Sequence, residues 1–433
     1  MSPALWNGYP LLQYDTGGYL ARWYEGYLVP SRSTTFGIYL HLGETSRFWI
    51  NVALQSLAAA WVILLTLRAL GLLETRLDTW RYGALMAVLS VGTALPWLVS
   101  LLLTDIFAGL SVLTLYLLVC RDDRLSRLER IGLFLLTAFA AASHSATLAV
   151  LLGLCLVGWM ARPWLSDLIP VAGLLRGSLA LVAGGLLLLA TNYALSGKVA
   201  WTPGGYGVAF GRMLQDGIVK RYLDAHCPDP RFQLCPYRDK FPATADEFLW
   251  GKSMFDTLGR FTGLGEEMRT IVIESLAAYP QMQAQKAVAA TAQQLTMVAT
   301  GEGTHNLVWH TYGIFDQRLP WQAAEMRAAK QQKGQLDFHL INRLHVPVAL
   351  TSMLVVVLML AHGIWRRQID QITLLAAVVT LSLLGNAAAC GVLSGPHDRY
   401  GARIVWIATF VVGAALLRLW SGRADPRAVS KAA

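Results

Sequence analysis

Apolar residues in this chain gather in long runs, divided by short charged stretches and by one extended mixed segment. Residues 1–46 contain no such run. The first covers residues 48–73, enough for a helix to cross a hydrocarbon core of about 30 Å. A second covers residues 82–102, with Pro96 inside it. Thr104-Asp105 interrupts, and a third continues to Cys120. The run 131–160 is too long for one straight spanning helix and carries Ser143-His144-Ser145 at its middle. It is read as two short spans meeting at a polar turn, a single tilted helix being the other option. Further spans are predicted at 171–195, 346–365, 372–393 and 404–420. The mixed segment 196–345 has helical patterns, such as 266–299, but no membrane-length run, and is long enough for a small domain.

The pattern predicts an all-α polytopic membrane protein with nine transmembrane helices and a mainly helical extracytoplasmic domain. Its parts are a first extracytoplasmic segment (1–46), an N-terminal transmembrane module (47–195), the extracytoplasmic domain (196–345), and C-terminal transmembrane helices with a cytoplasmic tail (346–433). Composition agrees: 55% of residues are hydrophobic and 15% charged, against about 25% charged in soluble proteins. Mean hydropathy is +0.44. The 15 Trp and 15 Tyr suit a protein with two membrane–water interfaces.

The net charge of +9 excludes nucleic acid rather than inviting it, because the basic residues lie in short loops between spans. Threading the chain through the nine spans puts Arg76, Arg81, Arg121, Arg124, Arg127, Arg130, Arg162, Arg366, Arg367, Arg423, Arg427 and Lys431 on one side, expected to be cytoplasmic. Residues 1–46, Asp105, His144, the 196–345 segment and residues 395–400 fall on the other. This holds only if 131–160 is split at His144. Residues 1–46 would then have to cross ahead of the first span, so a further span upstream of Met1 is expected. Cys120, Cys155 and Cys390 lie in or beside apolar runs, as small hydrophobes. Cys227 and Cys235 form a local disulfide if their segment faces an oxidising compartment, and remain thiols otherwise.

Several polar residues are candidates for chemistry, Asp105 among them because it stands close to the apolar zone, where an ionisable group is costly. Asp15 lies in the aromatic, glycine-rich stretch from Trp6 to Leu20. It is a candidate catalytic acid or, more plainly, the N-cap of a helix starting at Thr16. Asp105 begins a span and admits the same two readings. His144 could take a proton or bind phosphate when charged. Arg32 and Arg399, with Arg403 as a weaker partner, could bind a phosphate in bidentate fashion; Tyr400 is adjacent. His305 and His310 complete no ligand set, so no metal site is assigned. The pair Glu266-Glu267 is expected on a solvated helix face. Nucleotide-binding and hydrolase signatures (GxxxxGK[ST], HExxH, GxSxG) are absent.

The segment with Asp15, the stretch Ser31-Arg32-Ser33-Thr34-Thr35-Phe36-Gly37-Ile38-Tyr39-Leu40, the turn Leu103-Thr104-Asp105-Ile106-Phe107, and the large segment beyond resemble the GT-C superfamily of polyprenyl-phosphate-sugar-dependent glycosyltransferases. That group includes protein O-mannosyltransferases and aminoarabinose transferases of lipid A. The resemblance implies a seven-span catalytic module, a first outer loop with an acid and two interface helices, and a large outer loop after span seven. With one upstream span added, seven spans precede residue 196. The implied function is inverting transfer of a sugar from a lipid-linked donor to a lipid, glycan or protein acceptor, at the outer face of a bacterial cytoplasmic membrane. Asp15 would be the general base. Arg32 and Arg399 would stabilise the leaving phosphate, and His144 and Tyr400 would contact substrate. Asp105 would orient the acceptor or help hold a divalent cation; no other cofactor is implied. The alternatives are a transporter or flippase for a lipid-linked or envelope substrate, and a non-catalytic membrane assembly protein. A transferase requires Asp15, Asp105 and an arginine to converge; a transporter requires a central water-filled path.

Overall fold

The computed structural model describes residues 1–25, 28, 31–73, 78–202, 205–306, 308–421 and 429–430. Arg76, Arg423, Arg427 and Lys431 lie outside these. Three short helices come first: α1 (Ser2–Asn7), α2 (Tyr14–Glu25) and α3 (Thr34–His41). The apolar helix α4 (Trp49–Ala69) follows, then α5 (Thr79–Gly92), α6 (Leu95–Leu98) and α7 (Asp105–Cys120). Next are α8 (Arg127–Ser143), α9 (Ser145–Ala161) and α10 (Val171–Ser196). The mixed segment forms α11 (Gly205–Gln215), α12 (Ile218–His226), α13 (Ala245–Trp250), α14 (Met254–Thr257), α15 (Arg260–Ala278), α16 (Pro280–Thr296), α17 (Trp309–Arg318) and α18 (Pro320–Ala328). The chain closes with α19 (His339–Trp365), α20 (Gln371–Leu393) and α21 (Asp398–Ser421). The only strands among the described residues are Gln368–Ile369 and Val429–Ser430, paired antiparallel.

This is an all-α, multi-pass membrane protein. Among the described residues, five helices are long and apolar enough to cross a membrane: α4, α10, α19, α20 and α21. The other four predicted spans form shorter helices of 14, 16, 17 and 17 residues, α5, α7, α8 and α9, below the roughly 20 residues a full crossing takes. The predicted span 82–102 is not one helix. Thr93 takes extended backbone angles (φ −140°, ψ 168°), and Pro96 follows within the separate turn α6. The expected break at His144 is present, with φ −154° and ψ 122° between α8 and α9. The predicted helical stretch 266–299 is broken at Tyr279, ahead of Pro280, as proline requires.

Every residue of α7 is buried. It packs against α4, α8, α9, α10, α20 and α21, so an apolar surface all round finds partners all round. Small residues bring these helices close. A Cβ on Gly173 would lie 2.0 Å from the Val119 carbonyl oxygen, and one on Gly184 would lie 2.7 Å from that of Ala138. The row Gly173, Gly177, Gly184 thus seats α10 against α7 and α8, as small residues do between membrane helices.

The mixed segment divides between two cores. Residues 210–272 enclose one of their own, around Phe210, Tyr222, Phe232, Phe248, Leu264 and Ile271. Cys227 and Cys235 are disulfide-bonded at its edge, which settles the open choice between bond and thiols. Glu267 corrects the expectation of a solvated pair. It is buried and accepts from the backbone nitrogens of Gln233 and Leu234 at 2.9 and 3.0 Å, while Glu266 is exposed. Residues Val298 to Ala329 instead join the main core. They grip the N-terminal segment: Tyr9 Oη donates to Gln322 Oε1 (2.6 Å), and Gln331 accepts from Leu12 N and donates to its carbonyl (3.0 and 2.6 Å). Leu11 bridges Leu101 in parallel.

Overpacking a close helix contact costs about 1–3 kcal/mol. Gly173→Val is therefore expected to lower the thermal unfolding midpoint in detergent by several degrees. An unchanged midpoint would contradict the contact between α10 and Val119.

Candidate functional site

Asp15 sits in the first turn of α2, one residue after its start at Tyr14. It is not the N-cap: Gln13 Oε1 accepts from the Asp15 nitrogen at 3.0 Å, leaving the carboxylate unused by the helix. Two bonds hold the turn. Thr16 Oγ1 donates to the Leu102 carbonyl at 3.1 Å, and Gly17 N donates to Thr311 Oγ1 at 3.2 Å. A Cβ on Gly17 would lie 2.8 Å from that same oxygen, so glycine permits the approach. Asp105 opens α7, and the residue before it makes no side-chain cap bond.

Asp398-Arg399-Tyr400 lies just ahead of the predicted span 404–420 and forms the first turn of α21. Ala299 N donates to Asp398 Oδ1 at 2.8 Å. Arg399 and Arg403, four residues apart, share a helix face. The register of that face against α7 is set one turn further in, where the Trp406 ring lies over Gly109 and a Cβ would meet Trp406 Nε1 at 2.6 Å.

These elements converge on one charge cluster. Arg399 donates through Nε to Asp105 Oδ2 (2.8 Å) and through Nη1 to Asp15 Oδ2 (2.7 Å). Arg32 Nη2 takes the other Asp15 oxygen. Arg403 Nη1 is 3.9 Å from Asp105 Oδ1, and that oxygen has no hydrogen-bond partner among the described residues. Arg403 is itself anchored by Nε and Nη2 to Asn386 Oδ1 (3.0 and 2.6 Å), and its Nη1 lies 3.4 Å from both ring nitrogens of His144. Tyr400 packs beside Arg399 and Arg403, its hydroxyl 3.0 Å from Ser394 Oγ. All six predicted site residues, Asp15, Asp105, Arg32, His144, Arg399 and Tyr400, are thus brought together.

Three guanidinium groups face two carboxylates, with the Glu302 carboxylate bound to the backbone of Arg399 as a third acid. Burial opposes ionisation of Asp15, but the charges of Arg32 and Arg399 outweigh it and hold the carboxyl at about 2. Burial, then the charge of Arg403, pushes the His144 imidazole well below its ordinary value, so it offers a neutral nitrogen and not the charged phosphate ligand expected. Among the described residues no three His, Cys, Asp or Glu side chains are grouped to hold a metal.

Sequence reasoning missed Glu302 and Asn386. Glu302 accepts from Arg399 N (2.7 Å) and meets His397 Nδ1 (2.9 Å). It stands between Gly301 and Gly303, which have φ of 104° and 78° and let the turn press on Phe338 and Gln13. The Gly-Glu-Gly triplet was the available signal. For Asn386 it was a lone amide within an apolar helix.

Volume and chemistry fall in different places. The cavity touching the cluster, lined by Asp105, Glu302 and Arg399 among others, measures about 30 Å³, room for about one water. A cavity of about 770 Å³ lies among α11, α15, α16 and the end of α20, with no cluster residue in its wall. The candidate site is placed at the cluster, where the reactive groups are. No protein-family model matches the chain, and no curated protein or solved structure is detectably similar to it.

The bond to Glu302 raises His397 above its ordinary value, against burial. A group raised on folding contributes fully below its unfolded value of about 6.5, and that contribution is lost as pH rises through the higher folded value. The unfolding midpoint is expected to fall as pH climbs above about 6.5, and Glu302→Gln to flatten the fall. The same slope in both proteins would contradict the coupling.

Proposed function

We propose that this protein is an inverting glycosyltransferase. It moves a sugar from a polyprenyl-phosphate donor to an acceptor hydroxyl at the outer face of a bacterial cytoplasmic membrane. One observation carries the reading: two carboxylates interleaved with three guanidinium groups where α7 and α21 begin. A phosphate ester needs cationic stabilisation as it leaves, and an acceptor hydroxyl needs a base. The cluster supplies both. The topology belongs to the proposal. The chain would cross nine times, with α5, α7, α8 and α9 as short crossings, and would present residues 1–46 and 196–345 outside. The Cys227–Cys235 disulfide suits an oxidising compartment.

The donor phosphate would take over the guanidinium groups of Arg32 and Arg399. Asp15, released from them, regains basicity. An oxygen lone pair of the acceptor hydroxyl forms the new bond to the anomeric carbon, on the face opposite the phosphate. The hydroxyl proton passes to Asp15. The bond from the anomeric carbon to the phosphate oxygen breaks, and its electron pair stays on the polyprenyl phosphate, held by the arginines. Asp105 keeps Arg399 and Arg403 in place throughout.

Asp15→Asn is expected to lower lipid-linked-sugar turnover by about 10²–10⁴-fold, the usual worth of a general base, in protein that still inserts and folds. Full activity in this variant would sink the assignment. Removing the Arg32 charge frees Asp15 to hold its proton to higher pH. Arg32→Gln should therefore shift the acid limb of the kcat/KM profile upward, and a limb at the wild-type pH would exclude Asp15 as the titrating base.

A further inference from the structure

The larger cavity has no part in this chemistry. Its volume, about 770 Å³, is within the range of roughly 300–1,000 Å³ typical of ligand sites. Tyr206, Met213, Phe261, Val272, Leu276 and Leu393 line much of its wall. Tyr206, Leu276 and Leu393 are large apolar side chains left exposed at its rim. Its place relative to the membrane follows from chain connectivity. Val392 and Leu393 close the spanning helix α20, and Thr202, also in the wall, comes six residues after the spanning helix α10. The cavity therefore lies at the membrane surface, on the side of the mixed segment.

Its charges are unevenly matched. Arg212 and Asp216 pair at 2.8 Å and cancel. Arg269, stacked over the Tyr206 ring, meets Glu266 only at 3.6 Å, and Glu266 is 89% exposed. Lys286 lines the cavity half-buried and makes no ion pair among the described residues, though its charge is felt by Asp216. Apolar walls, an apolar rim at the membrane surface and one unmatched cation define an amphiphile with an anionic head. We propose that this cavity binds an anionic membrane lipid, its chains against Met213, Phe261 and Val272 and its phosphate at Lys286 and Arg269. This site is separate from the charge cluster and does not rest on the transferase reading. Leu393 does, however, precede Ser394, whose hydroxyl meets Tyr400, so the bound lipid would lie beside the cluster.

Gly265 gives a direct test. It lines the cavity in the interior of α15, and a Cβ built on it meets no atom. Gly265→Trp puts a bulky side chain on the cavity wall at a position where a Cβ meets no atom, and replacing an interior helical glycine favours the helix. The measurement is native mass spectrometry of the full chain in detergent, titrated with phosphatidylglycerol, with phosphatidylcholine of the same acyl chains, or with inorganic phosphate. Expected are one phosphatidylglycerol bound in preference to phosphatidylcholine, its loss in Gly265→Trp, and about fivefold weaker binding in Lys286→Gln. An unchanged unfolding midpoint and an intact Cys227–Cys235 bond report that the variants are folded. Equal binding of the two lipids, undiminished binding in folded Gly265→Trp, or phosphate competing as well as the lipid would overturn the proposal. None of these results bears on turnover at Asp15, so failure here and failure of the transferase reading are told apart.

Discussion

The guanidinium of Arg399 is the joint on which the structure depends. One nitrogen holds the acid of the N-terminal segment, another holds the acid that opens the central helix, and the backbone nitrogen rests on Glu302. Taking one partner from a buried ion pair leaves an uncompensated charge and costs about 3–5 kcal/mol. The surrounding geometry serves to bring these groups into register. Gln13 caps α2 so that Asp15 does not have to. Trp406 over Gly109 sets α21 against α7 so that Arg399 and Arg403 straddle Asp105. Asn386 holds Arg403, which would otherwise face Arg399 along one helix face with like charge.

That joint also explains why a segment with no apolar run is buried. Residues 1–25 are clamped by Gln322 and Gln331 on one side and by Leu101 and Leu102 on the other. The mixed segment consequently has two roles. Residues 210–272 form a body around their own core, while residues 298–329 act as a brace for the N terminus. The two cavities follow the same division. The small one is where the brace meets the charges, and the large one is where the separate body meets the ends of the spanning helices.

Much of the charge cluster was legible because an ionisable group at the edge of an apolar run is costly and needs a reason. That argument found Asp105; Asp15 stood out as the one acid in an aromatic, glycine-rich stretch, and Arg32 and Arg399 as cations able to pair with a phosphate. His144 was found because it divides a run too long for one helix. The argument could not find Glu302, which lies in a polar segment where an acid is unremarkable until its glycine neighbours are placed. Of the fold, the long apolar helices were legible from length alone. The failure at 82–102 is instructive: an apolar run tells that a segment is buried, not that it is one helix, and Thr93 with Pro96 divides it. The first turn of α21 fell outside the predicted span 404–420 because its charges masked a helix whose polar end is satisfied by Ala299, Glu302 and the two acids.

Chain order gives the Arg399 joint a consequence for biosynthesis. Asp15 and Asp105 are made early, while their shared counter-charge belongs to the final long helix. Until that helix is synthesised, α7 carries at its tip a carboxyl group without its partner from α21. Residue 399 supplies the missing partner and ties the N-terminal segment and α7 to α21. Assembly of the cluster therefore has to wait for the last long helix to be made.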